Sequence, residues 1–162
     1  ILQSRAAEIG KNRRETAFVD PGEEAAHGIG IRGSAFRGVV AFDKEDLDEI
    51  SREELLKRDD VDGVLLILES PAPEYIPLIL SADALLSAKG GSTSHAAIAI
   101  NGIESRDYSA VMSAAGLQVN ARKHEAVIVG KDCQICHTIR KHDIISIHGT
   151  TGGVYVGSRP TL

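Results

Sequence analysis

Two apolar runs anchor the hydrophobic pattern. Val64-Leu65-Leu66-Ile67-Leu68, opened by Gly63, and Ala84-Leu85-Leu86-Ser87 are both of strand length and uninterrupted, as expected of strands covered on both faces. Between them, Ser70-Pro71 to Leu80 predicts a turn and a helix interrupted near Pro77. After the second run come a glycine loop at Lys89-Gly90-Gly91 and the small, apolar stretch Ala96-Ala97-Ile98-Ala99-Ile100, which suits a short, mostly buried helix with a left-handed stop at Asn101-Gly102. Strand, helix, strand, loop and helix imply parallel pairing with right-handed crossovers. The glycine loop then falls beyond a strand's carboxyl end, where such sheets bind ligands.

The flanking segments complete an α/β pattern. Residues 1–18 scatter Ile1, Leu2, Ala6, Ala7 and Ile9 among Arg5, Lys11, Arg13 and Arg14, which predicts a mildly basic helix fraying toward Gly10. It is either a solvated terminal helix or part of a hinge, so residues 1–20 are read as a connecting segment and 21–162 as the domain. Asp20-Pro21-Gly22 is a turn. Gly28, Gly30, Gly33 and Gly38 then punctuate a run ending in Val39-Val40-Ala41-Phe42, which suggests short strands with turns and bulges, since no G-x-G-x-x-G leads into a helix. From Asp43 to Asp60 the chain predicts an acidic helix with a solvated face; Ser51 to Glu54 is a capping box, and Ile50 with Leu55 a hydrophobic staple. Beyond Ser109-Ala110-Val111-Met112 the pattern turns to β at 116–120, 125–129, 144–148 and 153–156, with turns at Gly130-Lys131-Asp132 and Gly149-Thr150-Thr151-Gly152.

Composition narrows the class. The 162 residues suffice for one domain burying about 70% of its extended surface. With 43% hydrophobic and 25% charged residues the chain is globular, and a net charge of -5 without a basic, aromatic-interleaved stripe argues against a nucleic-acid partner. No apolar stretch reaches membrane-spanning length and no secretory pattern opens the chain, so a cytoplasmic location is expected. A first residue of Ile1 suggests a piece of a larger protein.

The candidate chemistry lies in Ala88-Lys89-Gly90-Gly91-Ser92-Thr93-Ser94-His95. Gly90 and Gly91 permit close approach of a ligand to the backbone, and Ser92, Thr93 and Ser94 are all good helix N-caps. His95 then sits in the first turn, where free amides and the helix dipole favour an anion and disfavour the imidazolium. A neutral imidazole there suits a nucleophile, with Lys89, Thr93 and Ser94 placed to steady a phosphoryl group. The bland alternative is a capped helix whose histidine merely bonds a carbonyl. An esterase using Ser94 lacks the G-x-S-x-G elbow.

Gly90-Gly91-Ser92-Thr93-Ser94-His95-Ala96-Ala97 resembles the active-site signature of the mobile, phosphohistidine swivelling domain of PEP-utilising enzymes, a family that includes pyruvate phosphate dikinase, PEP synthase and enzyme I of the sugar phosphotransferase system. Glu69-Ser70-Pro71-Ala72-Pro73-Glu74 resembles its upstream loop and helix, and residues 144–155 its closing hairpin; the resemblance covers residues 28–157. Thr93-Ser94 before the histidine is most like pyruvate phosphate dikinase.

The resemblance implies a three-layer β/β/α fold in which His95 shuttles a phosphoryl group between an ATP-grasp nucleotide-binding domain and a PEP/pyruvate barrel domain. Lys89, Gly90, Gly91, Thr93, Ser94 and, from the hairpin turn, Thr150 and Thr151 would stabilise the phosphate. No cofactor or metal is assigned to this domain, and Mg²⁺ would belong to the partner domains. Thr93 matches a position where some dikinases are regulated by threonine phosphorylation, and a phosphate there would repel the one due on His95.

Some positions depart from the family pattern. After Asn101-Gly102-Ile103 the usual arginine and Gly-Ile-Pro-Ala-Val run is replaced by Glu104-Ser105-Arg106-Asp107-Tyr108, with Arg106 a candidate substitute for the arginine. Gly33-Ser34-Ala35-Phe36-Arg37-Gly38 replaces a Ser-Pro-Gly element, and His148 stands where aspartate is common. Alternatives are therefore an enzyme I-type carrier from PEP to a protein, or a non-catalytic docking module. Cys133-Gln134-Ile135-Cys136-His137 matches the haem-attachment pattern but lacks an export signal. A zinc site from Cys133, Cys136, His137 and His142 lacks a second ligand pair at usual spacing, and reduced thiols are the default expectation.

Overall fold

The computed structural model describes residues 17–18, 24–91, 94–130, 132 and 134–159. The predicted parallel core is present. β3 (Ala35–Ala41) runs parallel to β4 (Gly63–Leu68), β4 to β5 (Ala84–Ser87) and β5 to β6 (Ser109–Met112). Every residue of β4 is buried because its two faces serve different cores. Leu65 and Ile67 join Phe36, Val40, Leu86, Val111, Ile145 and Ile147 on one side. Leu66 and Leu68 join Ile79, Leu85, Ala97, Ile100 and Met112 on the other.

Antiparallel strands extend this sheet at both sides. β10 (Ile144–His148) lies along β3 and β11 (Gly153–Val156) along β10, joined by the expected hairpin turn. β1 (Ala26–His27) pairs with β11, while β2 (Ile29–Arg32) pairs with β6 at the far edge of the eight strands. Only Gly28 separates β1 from β2, so one residue bridges both edges and the sheet must curl around its core. Gly28 is glycine for want of space: a Cβ there would lie 2.6 Å from the Met112 carbonyl oxygen. A three-stranded antiparallel sheet, β7 (Leu117–Asn120), β8 (Glu125–Val129) and β9 (Ile135–Arg140), contributes Leu117, Ala126, Ile128 and Ile139 to the core that holds Leu65. The molecule is thus a mixed α/β fold dominated by one large sheet.

The helices differ from expectation in three places. The acidic segment 43–60 is not one helix but two, α1 (Lys44–Asp48) and α2 (Arg52–Leu56). Each has its own cap: Asp43 accepts from the Asp46 amide at 2.9 Å and Ser51 from the Glu54 amide at 3.3 Å. Ile50 and Leu55 do share one apolar cluster with Val39, Val61 and Val64. Pro77 does not interrupt its helix. It lies in the first turn of α3 (Ile76–Ser81), where its missing N–H has no intrahelical partner to lose. Finally, α4 (His95–Asn101) ends without a left-handed residue, because Gly102 keeps φ at -81°. Ala96, Ala97 and Ile100 are buried under α4, yet Ile98 is 62% exposed, so only one face of the helix is covered.

Of the predicted connecting segment, 1–16 and 19–20 lie outside the described residues; Phe18 packs ring edge to face against Tyr155 at 5.2 Å. Among the described residues no helix is long and apolar enough to cross a membrane.

Candidate functional site

β5 delivers the chain to the glycine loop, and backbone bonds carry its path forward. The Ala88 and Lys89 amides donate to the Leu68 and Glu69 carbonyls at 3.1 and 3.0 Å, continuing the pairing of β5 with β4 beyond both strands. Ser87, fully buried, donates its hydroxyl to the Lys89 carbonyl at 2.6 Å. The loop then reverses at Gly90, whose φ of +109° suits glycine and whose missing side chain makes room for Pro71: a Cβ would sit 2.8 Å from the Pro71 Cγ. The Ser113 hydroxyl donates to the Gly90 carbonyl from the other side. Gly91 differs, since no atom of the described residues lies within 4 Å of a Cβ there.

Ser94 closes the loop and starts the helix. Its amide and hydroxyl both donate to the Gly91 carbonyl, at 3.0 and 2.8 Å, while its oxygen accepts from the Ala97 amide at 3.2 Å. The same hydroxyl lies 3.6 Å from the Met112 sulfur. With cap and loop both satisfied, Ser94 is an N-cap rather than an activated nucleophile, and no bond joins it to His95, as an esterase would need. His95 is the first residue of α4 and exposed. Among the described residues its ring makes no hydrogen bond or ion pair, so the imidazole faces solvent beyond the carboxyl end of β5. Among the described residues no carbonyl holds the ring, as the alternative of a capped helix with a bonded histidine would require.

The other expected residues are distributed around this loop. Lys89 is directed to Glu69, its ammonium 3.8 Å from the carboxylate, and remains largely exposed. Glu69 in turn accepts from the Val119 amide at 3.2 Å and so ties the loop to the small sheet. Ser92 and Thr93 lie outside the described residues. Thr150 and Thr151 form the turn between β10 and β11, where both amides donate to His148 Nδ1 at 3.3 Å and the Thr150 hydroxyl donates to the Gly33 carbonyl. Burial holds the His148 imidazole below its ordinary pKa, consistent with a neutral ring accepting two N–H groups. β2 links that turn to the histidine loop: Gly30 packs against Thr150, and Ile29 pairs with Met112.

Arg106 does not replace the family's arginine. Its guanidinium bonds the Leu80 and Ala82 carbonyls and lies 3.3 Å from Asp83, all before β5 and therefore at the opposite end of the strand from His95. The end of α4 is held instead by Arg32, which donates to the Ile100 and Ile103 carbonyls at 2.6 Å and to Arg106 at 3.1 Å. Neither Arg32 nor Ser113 was signalled by sequence pattern, since each acts across a distance of many residues. In the C-x-x-C-H segment, Cys133 lies outside the described residues; Cys136 is exposed on β9 and makes no three-ligand group with His137 and His142.

Comparison with known proteins converges on one domain type. The family model of the PEP-utilising enzyme mobile domain matches residues 60–152. The pyruvate, phosphate dikinase of Entamoeba histolytica is 32% identical over 133 residues, covering 82% of this chain and 13% of that protein. Those of Rickettsia typhi and Rhizobium meliloti are 26% identical over 137 residues and 33% identical over 99, covering 85% and 61% of this chain. The chain spans only 10–14% of the length of these relatives.

Proposed function

The chain belongs to the family of PEP-utilising enzyme mobile domains, and from that premise we propose that it is the phosphoryl-carrying swivelling domain of a pyruvate phosphate dikinase-like phosphotransferase, with His95 as the carrier. The observation that carries this reading is the placement of His95: exposed, free of side-chain partners among the described residues, and fixed by the Ser94 cap in the first turn of α4. One imidazole nitrogen forms a P–N bond as the P–O bond to the donor breaks, and the acceptor later takes the group by breaking that P–N bond. Such transfer is mostly positioning and electrostatics, so the domain's work is to present one nucleophile to two distant sites.

Around His95, the α4 amides, Gly90, Gly91, Ser94, Lys89 and Thr93 would steady the transferred charge, with Thr150 and Thr151 further back. Thr93 would also serve as a regulatory site. The two stations are an ATP-grasp nucleotide-binding domain and a PEP/pyruvate barrel, with Mg²⁺ held there, in a cytoplasmic enzyme. Helix residues Ile79, Ala97 and Ile100 on one face of the large sheet, and Ala126, Ile128 and Ile139 of the small sheet on the other, support a three-layer β/β/α swivelling body.

Phosphorylation tests the reading. The full-length parent protein, given Mg²⁺ with either ATP or PEP, should gain an acid-labile phosphate on the peptide containing His95, and a His95→Ala variant should not. Phosphate from PEP alone would favour an enzyme I-type carrier. No phosphate from either donor, with partner domains that phosphorylate an ordinary homologous domain, would overturn the carrier in favour of a docking module.

A further inference from the structure

A second cluster of ionisable groups lies at the same end of the parallel strands as the histidine loop, but on β3. Asp43 follows β3 and caps α1; Asp46 lies within α1; His124 lies before β8 in the small sheet. Their ligand-capable atoms all fall within 4.8 Å of one another. His124 Nδ1 is 2.8 Å from Asp46 Oδ2 and 3.6 Å from Asp43 Oδ2.

Asp46 supplies an independent observation. Its side chain is 1% exposed, and while Oδ2 accepts from the Phe42 amide at 3.0 Å, the buried Oδ1 has no hydrogen-bond partner among the described residues. A buried carboxylate oxygen without a partner calls for one, and a bound ion is among the groups that supply it. Lys141 stands 4.0 Å from it, too far for a hydrogen bond, and is drawn instead to Glu49 at 3.2 Å. His142 also faces Glu49, at 3.6 Å.

We propose that Asp43, Asp46 and His124 form a binding site for a divalent transition-metal cation, best matched by Zn²⁺. One imidazole nitrogen and two carboxylates are a donor set that Zn²⁺ accepts, whereas Mg²⁺ prefers oxygen ligands in a strict octahedron. With metal–ligand bonds of about 2.1 Å, the observed separations of 2.8 and 3.6 Å subtend roughly 85° and 120° at the ion. The ion replaces the proton between His124 Nδ1 and Asp46 Oδ2, is held by both Asp46 oxygens so that Oδ1 gains a partner, and leaves Lys141 to Glu49. Because Asp46 lies in α1 and His124 directly precedes β8, the bound ion staples the small sheet to α1. This site is independent of the carrier reading.

The test is Zn²⁺ uptake by the purified chain, measured by competition with a chromogenic chelator and by thermal unfolding, in wild type, Asp43→Asn, His124→Gln and Cys136→Ser. One Zn²⁺ per chain is expected, with a raised unfolding temperature in wild type and Cys136→Ser, and affinity lower by about tenfold or more in the other two. Asp43→Asn keeps an oxygen for the helix cap, so it stays informative if His124→Gln does not fold. Histidine-ring NMR of the wild type provides a second readout: Zn²⁺ should shift the His124 nitrogens. Absence of saturable uptake, an affinity undiminished by Asp43→Asn, loss of uptake in Cys136→Ser, or unmoved His124 resonances would each overturn the site.

Discussion

Gly90 and Gly91 stand side by side in the histidine loop, yet they do different work. Gly90 adopts a positive φ with Pro71 packed where a side chain would go, whereas Gly91 has open space. Gly90→Ala should therefore cost about 1–3 kcal/mol, and Gly91→Ala less than about 1 kcal/mol. Urea unfolding of the two variants checks this; equal costs would mean that the backbone turn is not what glycine provides. Ser94→Ala removes both the cap bond to Ala97 and the bond to the Gly91 carbonyl. A loss of about 1 kcal/mol is expected, largely recovered by Ser94→Asn, together with slower phosphorylation of His95 because its turn frays. The glycines and the cap were legible in the sequence as residue types suited to a tight loop and a helix start. Which glycine was strained was not legible, since Pro71 and Met112 approach from elsewhere in the chain.

At the scale of the element, α4 is too short to hold itself. Seven residues give a weak helix in isolation, so its stability comes from Ala96, Ala97 and Ile100 packing on Leu66, Leu85 and Met112. Its far end has no left-handed cap and relies on the Arg32 guanidinium, which gathers three carbonyls. Arg32→Met should destabilise the protein by about 1.5–3 kcal/mol, and Arg32→Lys should recover only part of that because one ammonium cannot match the planar fork. Hydrogen exchange at Gly102 and Ile103, faster in Arg32→Met than in wild type, is the measurement; unchanged exchange would show that packing alone holds the end. The acidic helix expected over 43–60 broke in two for a related reason. Asp43 and Ser51 both compete for helix starts, and an apolar pattern alone does not say which of two caps ends the preceding turn.

For the whole molecule, closure of the large sheet sets the arrangement. The turn at Thr150 and Thr151 covers β2, bonds Gly33, and is organised around His148, whose ring is kept neutral by burial. Because the folded pKa lies below the ordinary 6.5, the unfolded state binds more protons at mildly acidic pH. This contribution is complete above 6.5 and is lost as pH falls from there through the folded value. The stability difference between wild type and His148→Gln, measured from pH 8 down to pH 5, should shrink as the solution is acidified, other groups cancelling in the comparison. A difference independent of pH would refute the assignment.

Local pattern alone fixes the parallel strands at Val64 to Leu68 and Ala84 to Ser87, the hairpin at the C-terminal end, and a histidine in the first helical turn after a glycine loop. These are local properties: continuous apolar runs, turn residues and a cap act over a few positions. Folding in three dimensions is what sets β1 and β2 at opposite edges of one sheet, Arg106 at the wrong end of β5 to reach His95, and Arg32 at the end of α4. It alone brought Asp43, Asp46 and His124 together. Each of those outcomes depends on contacts between residues far apart in the chain, and a pattern of neighbours carries no information about which distant carbonyl, edge or carboxylate a side chain will meet.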